Sequence, residues 1–473
     1  MNILFVCLNN TSISPIAEGI LHKLYFEKNL DYKVNSAGFE PYYINNYPEK
    51  GALEIASKNS IDLSNHHSRL FQKEDFNHYD KIYAMDTRSY RGAKDLARTT
   101  EDLNKIDYFM NVIRPGRNEI IEDPEVIGID SYPDLFSTLL IGCNCIVDHI
   151  QNKNRFDKEQ INITFEHLKE CAKRIKPFIH KTPVLTSESI NELLDCKIFF
   201  KCENFQKAGA FKSRGAINAV FSLDESEVLN GVATHSSGNH AQALARAAKL
   251  RGIESYIVMP EESSKVKVEA VRSYGGQITF CENNLQSREQ NLFYILRDKN
   301  ASEIHPYNNK NIIIGQATVA KELFEKTGTL DFVLAPVGGG GLLSGTALAT
   351  KLISPKTSII GCEPEKANDA YLSFESKKFV PQENPQTIAD GLRTSLGSLT
   401  FPIILDKVDK IFTVKEETII QAMRLIWERM KIIIEPSAAV PLATIIENKD
   451  YFCGKNIGLI ISGGNLDLDK KLW

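Results

Sequence analysis

The chain has 473 residues, 42% hydrophobic and 25% charged, which is too long for one ordinary domain and has the composition of a globular protein. A formal net charge of −4 with a pI near 6.3 leaves no basic excess to neutralise phosphates, so nucleic acid is excluded as an expected partner. No apolar run approaches membrane-spanning length, and nine cysteines without metal-site spacing read as free thiols of a reducing cytoplasm.

The first body spans residues 1–150. Ile3-Leu4-Phe5-Val6 is a short apolar run suited to a buried parallel strand, and the segment Met1 to Cys7 lacks the basic start of a signal peptide. A polar loop, Asn9-Asn10-Thr11-Ser12, follows, and Pro15 sits early in the apolar-periodic stretch that reads as a first helix. Lys33-Val34-Asn35-Ser36-Ala37-Gly38 and Lys81-Ile82-Tyr83-Ala84-Met85-Asp86 read as further strands ending in loops. This alternation predicts a small doubly wound α/β domain.

Residues 151–160 are polar and charged and read as a linker. The second body, residues 161–473, again alternates strands and helices. Its strands are Ile198-Phe199-Phe200, Tyr256-Ile257-Val258-Met259, Phe332-Val333-Leu334-Ala335 and Ile457-Gly458-Leu459-Ile460-Ile461, several followed by glycine-rich turns. Open α/β sheets bind ligands at such carboxyl ends.

Four segments carry chemistry. Lys212 lies in Ala208-Gly209-Ala210-Phe211-Lys212-Ser213-Arg214-Gly215, a frame of small residues that suits a lysine condensing with an aldehyde cofactor better than a solvated charge. Gly338-Gly339-Gly340-Gly341 separates a strand from an apolar helix-like stretch; successive glycines let backbone N–H groups converge on an anion. No Lys-Ser/Thr follows as in a nucleotide P-loop. Ser236-Ser237-Gly238-Asn239-His240 reads as a loop capping a helix, and Ser462-Gly463-Gly464-Asn465 as a strand-end turn.

Together these segments, with Phe200-Lys201-Cys202-Glu203, Thr387-Ile388-Ala389-Asp390-Gly391 and Trp427-Glu428-Arg429-Met430-Lys431, make residues 161–473 resemble the serine racemase and serine/threonine dehydratase family. These are fold-type II pyridoxal phosphate enzymes, two-lobed α/β proteins of tryptophan synthase beta-like architecture. The resemblance implies that Lys212 forms the Schiff base and acts as acid/base on one face of the substrate α-carbon. It implies that Phe211 packs beside the pyridine ring and that Asn239 bonds the ring hydroxyl. Gly338, Gly339, Gly340, Gly341 and Leu342 would hold the phosphate, and Ser462 would face the ring nitrogen. Ser236, Ser237, Asn239 and His240 would receive the substrate carboxylate.

A hydroxyl rather than a carboxylate at Ser462 implies a weaker electron sink, which suits proton exchange or β-elimination better than transamination. Racemisation needs a proton donor opposite Lys212, and Ser237 is the candidate. The resemblance places a serine there in the racemase and hydroxyaspartate-dehydratase branch, and alanine in biosynthetic threonine dehydratases. The expected activity is racemisation of serine with serine or threonine dehydration. The alternatives are a threonine or 3-hydroxyaspartate dehydratase, or a non-catalytic signalling fusion. Glu363, Ala367 and Asp369 match a divalent-cation loop whose all-oxygen ligands suit Mg2+ or Ca2+. Ala208 and Ala210 stand where animal serine racemases carry hydroxyl residues, which argues against ATP activation. The resemblance also implies a homodimer.

In residues 1–150, Cys7-Leu8-Asn9-Asn10-Thr11-Ser12-Ile13-Ser14-Pro15 resembles the phosphate loop of low-molecular-weight protein tyrosine phosphatases, with Asp123 at the general-acid position. That loop carries an arginine where this chain has Ile13, and Glu125 replaces an aromatic residue. A thiolate nucleophile needs a cation to hold the phosphoryl oxygens, so an inactive phosphatase-like domain is expected.

Overall fold

The computed structural model describes residues 1–113, 118–124, 128–156, 163–236, 238–283 and 285–469. They form two compact units, Met1–Lys158 and Glu159–Trp473. No helix among the described residues is long and apolar enough to cross a membrane.

In the first unit β1 (Ile3–Val6) sits between β2 (Val34–Ala37) and β3 (Lys81–Ala84), and β4 (Ile106–Tyr108) extends the sheet, all strands parallel. Alternation along β1 makes the sheet two-sided: Ile3 and Phe5 pack into one core, Leu4 and Val6 into the other. Helix α1 (Ile13–Glu27) starts directly after the Cys7 loop and contributes Ile16, Ile20 and Leu21 to the first core. Helix α2 (Tyr132–Phe156) adds Leu139, Cys143 and Ile150 to the same core. Residues 151–156, expected as linker, therefore continue a helix, because its apolar repeat carries through Ile146, Val147 and Ile150. Residues 157–160 of that stretch lie outside the described residues.

The second unit holds two sheets. One has the order β10-β7-β8-β9, parallel throughout: β7 (Val232–His235), β8 (Ser255–Pro260), β9 (Gln277–Cys281), β10 (Ser302–Glu303). The other has the order β13-β12-β11-β14-β6-β5, antiparallel only at β5 (Val184–Leu185). Its remaining strands are β6 (Lys197–Cys202), β11 (Phe332–Pro336), β12 (Ser358–Pro364), β13 (Lys410–Val414) and β14 (Asn456–Ile461). Each strand of this unit predicted from its apolar run is present, extended by one to three residues. β11, β14 and β6 are neighbours and are apolar along most of their length, as strands covered on both faces must be.

Five helices position the site. They are α3 (Lys212–Ser222), α4 (Asn239–Arg251), α5 (Lys265–Ser273), α6 (Lys310–Thr327) and α7 (Gly341–Ile353). α4 begins at Asn239, two residues before the helical pattern is evident in the sequence. Asn239 and His240 thus belong to its first turn rather than to a free loop.

Candidate active site

Four carboxyl-end loops converge. The segments after β6, β11 and β14, neighbours in one sheet, meet the segment after β7 of the other around a cavity of about 680 Å3. Lys212, Phe211, Ser236, Asn239, His240, Gly338, Gly339, Gly340, Gly341, Leu342 and Ser462 all line it. Every candidate of the second body among the described residues is therefore brought together, apart from the three cation-loop residues. Ser237 lies outside the described residues.

Lys212 is the first residue of α3, and its ammonium donates to the Pro306 carbonyl at 2.8 Å and stands 5.2 Å from the centroid of the Phe211 ring. Burial pulls its pKa down to about 8, against the opposing pull of Glu435. Such an amine is available as a neutral nucleophile near physiological pH.

The glycine run makes a phosphate-sized cradle. Gly340 has φ +85°, and a Cβ there would stand 2.8 Å from Thr400; one on Gly339 would stand 2.3 Å from the Tyr307 ring. Side chains are thus excluded on both sides, and the backbone of the run lines the cavity. α7 starts at Gly341, so its positive dipole end points at the same place. These features fit a phosphorylated cofactor.

The far wall is polar. The Asn239 side-chain N–H group donates to both carboxylate oxygens of Glu435, at 2.8 and 3.1 Å, while its oxygen accepts from Asn465 at 2.9 Å. Glu435 is 3% exposed, and burial raises its pKa to about 7. His240 donates from Nε2 to the Ile304 carbonyl at 3.0 Å; the carbonyl can only accept, which fixes the proton on Nε2. Burial holds His240 at about 3 and His235 at about 4, so both stay neutral at physiological pH.

Sequence reasoning missed Glu435, Lys267, Asp390, Arg393, Arg288 and Tyr307, all of which line the cavity. Lys267 reaches in from α5 and pairs with Asp390 at 2.6 Å. Asp390 falls within a segment that carries the family resemblance. Glu435 precedes Pro436, the first residue of a helix, and that placement alone signals only a helix start.

Glu363 and Asp369 sit at the end of β12 and the start of a short helix, 0% and 2% exposed. Glu363 accepts from the N–H groups of Ala370 and Tyr371 at 3.0 and 2.8 Å, and Asp369 accepts from that of Leu396 at 3.3 Å. The other Asp369 oxygen, Oδ1, is buried without a hydrogen-bond partner. Ala367 is fully buried beside them. Burial raises the Asp369 pKa to about 7, and burial with the Asp369 charge raises Glu363 well above the carboxylate range. Two neighbouring carboxyls and an orphaned oxygen fit a hard divalent cation. No group of three or more His, Cys, Asp or Glu side chains that could hold a metal ion occurs among the described residues.

In the first unit the Cys7 loop keeps an ordered hydrogen-bond frame. The Cys7 thiol and Ser14 hydroxyl are 3.0 Å apart, and the Asn10 N–H reaches the thiol at 3.3 Å. Asn10, at φ +57°, donates to Ser14 and Ser36 at 3.0 and 2.7 Å. Ile13 is 3% exposed and packs into the same core as Cys7. Burial pushes the Cys7 thiol pKa up, only partly opposed by Ser14. Asp123 is half-buried. Glu125 lies outside the described residues.

A family model described as pyridoxal-phosphate dependent enzyme matches residues 175–463, and one described as low molecular weight phosphotyrosine protein phosphatase matches residues 2–155. Over 310 residues the chain is 48% identical to a beta-hydroxyaspartate dehydratase of Paracoccus denitrificans, covering 66% of this chain and 98% of that one. Over 311 residues it is 50% identical to a serine racemase of Dictyostelium discoideum, covering 65% and 96%. The crystal structure of serine racemase from Dictyostelium discoideum superposes with a TM-score of 0.62 at 50% identity, covering 65% of this chain and 99% of that one.

Proposed function

This chain belongs to the pyridoxal-phosphate dependent enzymes, and from that premise we propose that it racemises serine and eliminates water from serine and threonine. The observation that carries the reading is the convergence of Lys212, Asn239, Ser462 and the glycines 338–341 on one cavity. Lys212 would hold the cofactor aldehyde, the glycine run with Leu342 its phosphate, and Asn239 and Ser462 the ring hydroxyl and ring nitrogen. When bound, pyridoxal phosphate supplies an electron sink that acidifies the substrate α-C–H bond.

The protein's own groups then divide the work. Ser236, Asn239 and His240 orient the substrate carboxylate at the first turn of α4, whose dipole favours an anion. Lys212 would take the α-proton on its face at Nζ. Ser237 returns a proton on the other face, inverting the centre. Loss of the β-hydroxyl instead of reprotonation leads, after hydrolysis, to pyruvate and ammonia from serine, or to 2-oxobutyrate from threonine.

A second reading, a 3-hydroxyaspartate dehydratase, is favoured by a specific feature: two guanidinium groups, Arg288 and Arg393, line the cavity beside Lys212, Lys267 being already paired with Asp390. They provide positive charge for a second carboxylate. An amino-acid panel followed by chiral chromatography and keto-acid assay separates the two. Inversion of serine supports the first reading. Keto acid from 3-hydroxyaspartate without inversion of serine supports the second.

Glu363, Ala367 and Asp369 would hold Mg2+ or Ca2+ as a structural ion. Asp369 has its folded pKa raised from 3.8 to about 7, so the metal-free protein loses stability as pH rises through that window. A cation removes the penalty only where the carboxylates are ionised. Mg2+ is therefore expected to raise Tm more at pH 8 than at pH 5, and Asp369→Asn to abolish the difference. An equal shift at both pH values would remove the assignment.

The first unit would bind neither a phosphoryl group nor a thiolate-stabilising cation, because Ile13 is apolar and Cys7 is buried and protonated. No release of phosphate from an aryl phosphate above background is expected. Turnover abolished by Cys7→Ser would overturn this reading.

A further inference from the structure

Beneath Lys212, outside the cavity, lies a buried ionic cluster that the reaction does not use. Arg214 is fully buried, and all five of its guanidinium N–H groups have acceptors. Nε and Nη2 donate to Glu203 at 2.7 and 2.8 Å, Nη1 and Nη2 to Glu322 at 2.8 Å each, and Nη1 to Thr318 at 3.2 Å. Lys201, also fully buried, donates to Glu322 at 2.6 Å. Two cations and two carboxylates leave the cluster neutral. It joins β6 and the turn after it to α3 and α6.

A cluster of this kind is a poor device for stability alone. The desolvation of four ions roughly cancels their attraction, and apolar residues of similar volume do as well or better. Its geometry offers another use. Lys212 and Arg214 are two positions apart on α3, which turns them about 200° from each other around the helix axis. Lys212 faces the cavity, so Arg214 points into the protein. Any rotation of α3 that swings the lysine must drag the guanidinium off these five acceptor oxygens. The residue before Lys212 supplies no side-chain cap, and in the first turn of α3 only the Ser213 hydroxyl, which donates to the Lys207 carbonyl, stands beside Arg214 as a polar anchor among the described residues. The distance between helices is set separately: a Cβ on Gly315 of α6 would stand 2.5 Å from the Cα of Gly215.

We propose that Arg214, through its fork to Glu203 and Glu322, is a positioning residue that sets the rotation of α3 and so the aim of Lys212 into the cavity. The inference rests on the reading of Lys212 as the cofactor lysine. Misplacement of a reacting group by about an ångström costs up to about 10²-fold in rate.

The test separates aim from stability. Arg214→Met strands a buried carboxylate and is expected to lower Tm. Arg214→Met/Glu203→Gln removes one charge of each sign and leaves the Lys201–Glu322 pair, so Tm is expected to recover. Two readouts are then followed at matched folding: the rate at which apoprotein captures pyridoxal phosphate, read from the visible band of the lysine-bound cofactor, and kcat against KM for serine. We expect capture and kcat to stay down about tenfold or more in the double variant, with KM changed much less. Capture and kcat returning together with Tm would reduce the cluster to a stability element. If the double variant does not fold, Arg214→Lys decides: it keeps the charge but not the fork, and wild-type capture there overturns the proposal. Failure of the wild-type apoprotein to capture the cofactor at all would instead sink the reading of Lys212.

Discussion

Lys212→Ala is expected to lower kcat for both serine inversion and water elimination by about 10³-fold or more, measured by chiral chromatography and keto-acid release. The lysine serves twice in the proposed scheme, as the holder of the aldehyde and as the group that moves the α-proton. Lys267 offers no substitute, since it is held by Asp390 at 2.6 Å and its side chain is 10% exposed. Lys212→Arg should fare no better, because a guanidinium keeps its charge and never becomes a neutral amine. This pair of variants therefore separates nucleophilicity from charge. The pH dependence has a defined sign. Burial lowers the Lys212 pKa from 10.5 to about 8, so the neutral amine gains population as pH rises, and capture of pyridoxal phosphate should increase with a midpoint near that value. The same burial penalises the ammonium at neutral pH, so Lys212→Met apoprotein should melt no lower than wild type. A Lys212→Ala protein that retained inversion within tenfold would remove the lysine from the mechanism.

The parts of the site legible in the sequence were those whose chemistry is written locally. A strand followed by four glycines, a lysine among small residues and a serine-rich strand end each announce a turn with a special backbone or an isolated functional group. Asn239 and His240 were legible as residue types, but the helix around them starts earlier than the apolar pattern suggests. Glu435 and Lys267 carry no local mark, because they reach the cavity from elements distant in sequence and their roles arise only once two sheets face each other. Arg214 is the sharpest case. It lies two residues from the most conspicuous lysine of the chain, yet its partners are 11 and 108 residues away, and a buried charge cannot be told from a solvated one without them. In the first unit the missing arginine was visible at once. The hydrogen-bond frame joining Cys7, Asn10, Ser14 and Ser36 was not, since it needs the close approach of β1 and β2.

Ser237→Ala carries the second large effect and tests the stereochemistry of the proposal. Inversion requires that a proton leave on one face of the α-carbon and return on the other. In the proposed scheme Lys212 acts on one face only. If Ser237 supplies the opposite proton, its loss should lower racemisation by about 10²- to 10⁴-fold, the usual range for a positioned acid/base. Elimination from L-serine draws its proton by Lys212 alone and should keep most of its rate. The chain neighbours of Ser237, Ser236 and Gly238, both line the cavity, and the Gly238 N–H donates to the Ser236 hydroxyl at 3.3 Å. Ser236 is thus a second hydroxyl in the same loop, and Ser236→Ala is the necessary control. It should weaken substrate binding, raising KM for both reactions together, whereas Ser237→Ala should split them. The enantiomer used in elimination sharpens the result further: water loss from D-serine needs a base on the Ser237 face, so it should fall with racemisation. Equal loss of inversion and of L-serine elimination in Ser237→Ala would remove the two-base scheme, and would leave Lys212 as the sole proton carrier of a dehydratase.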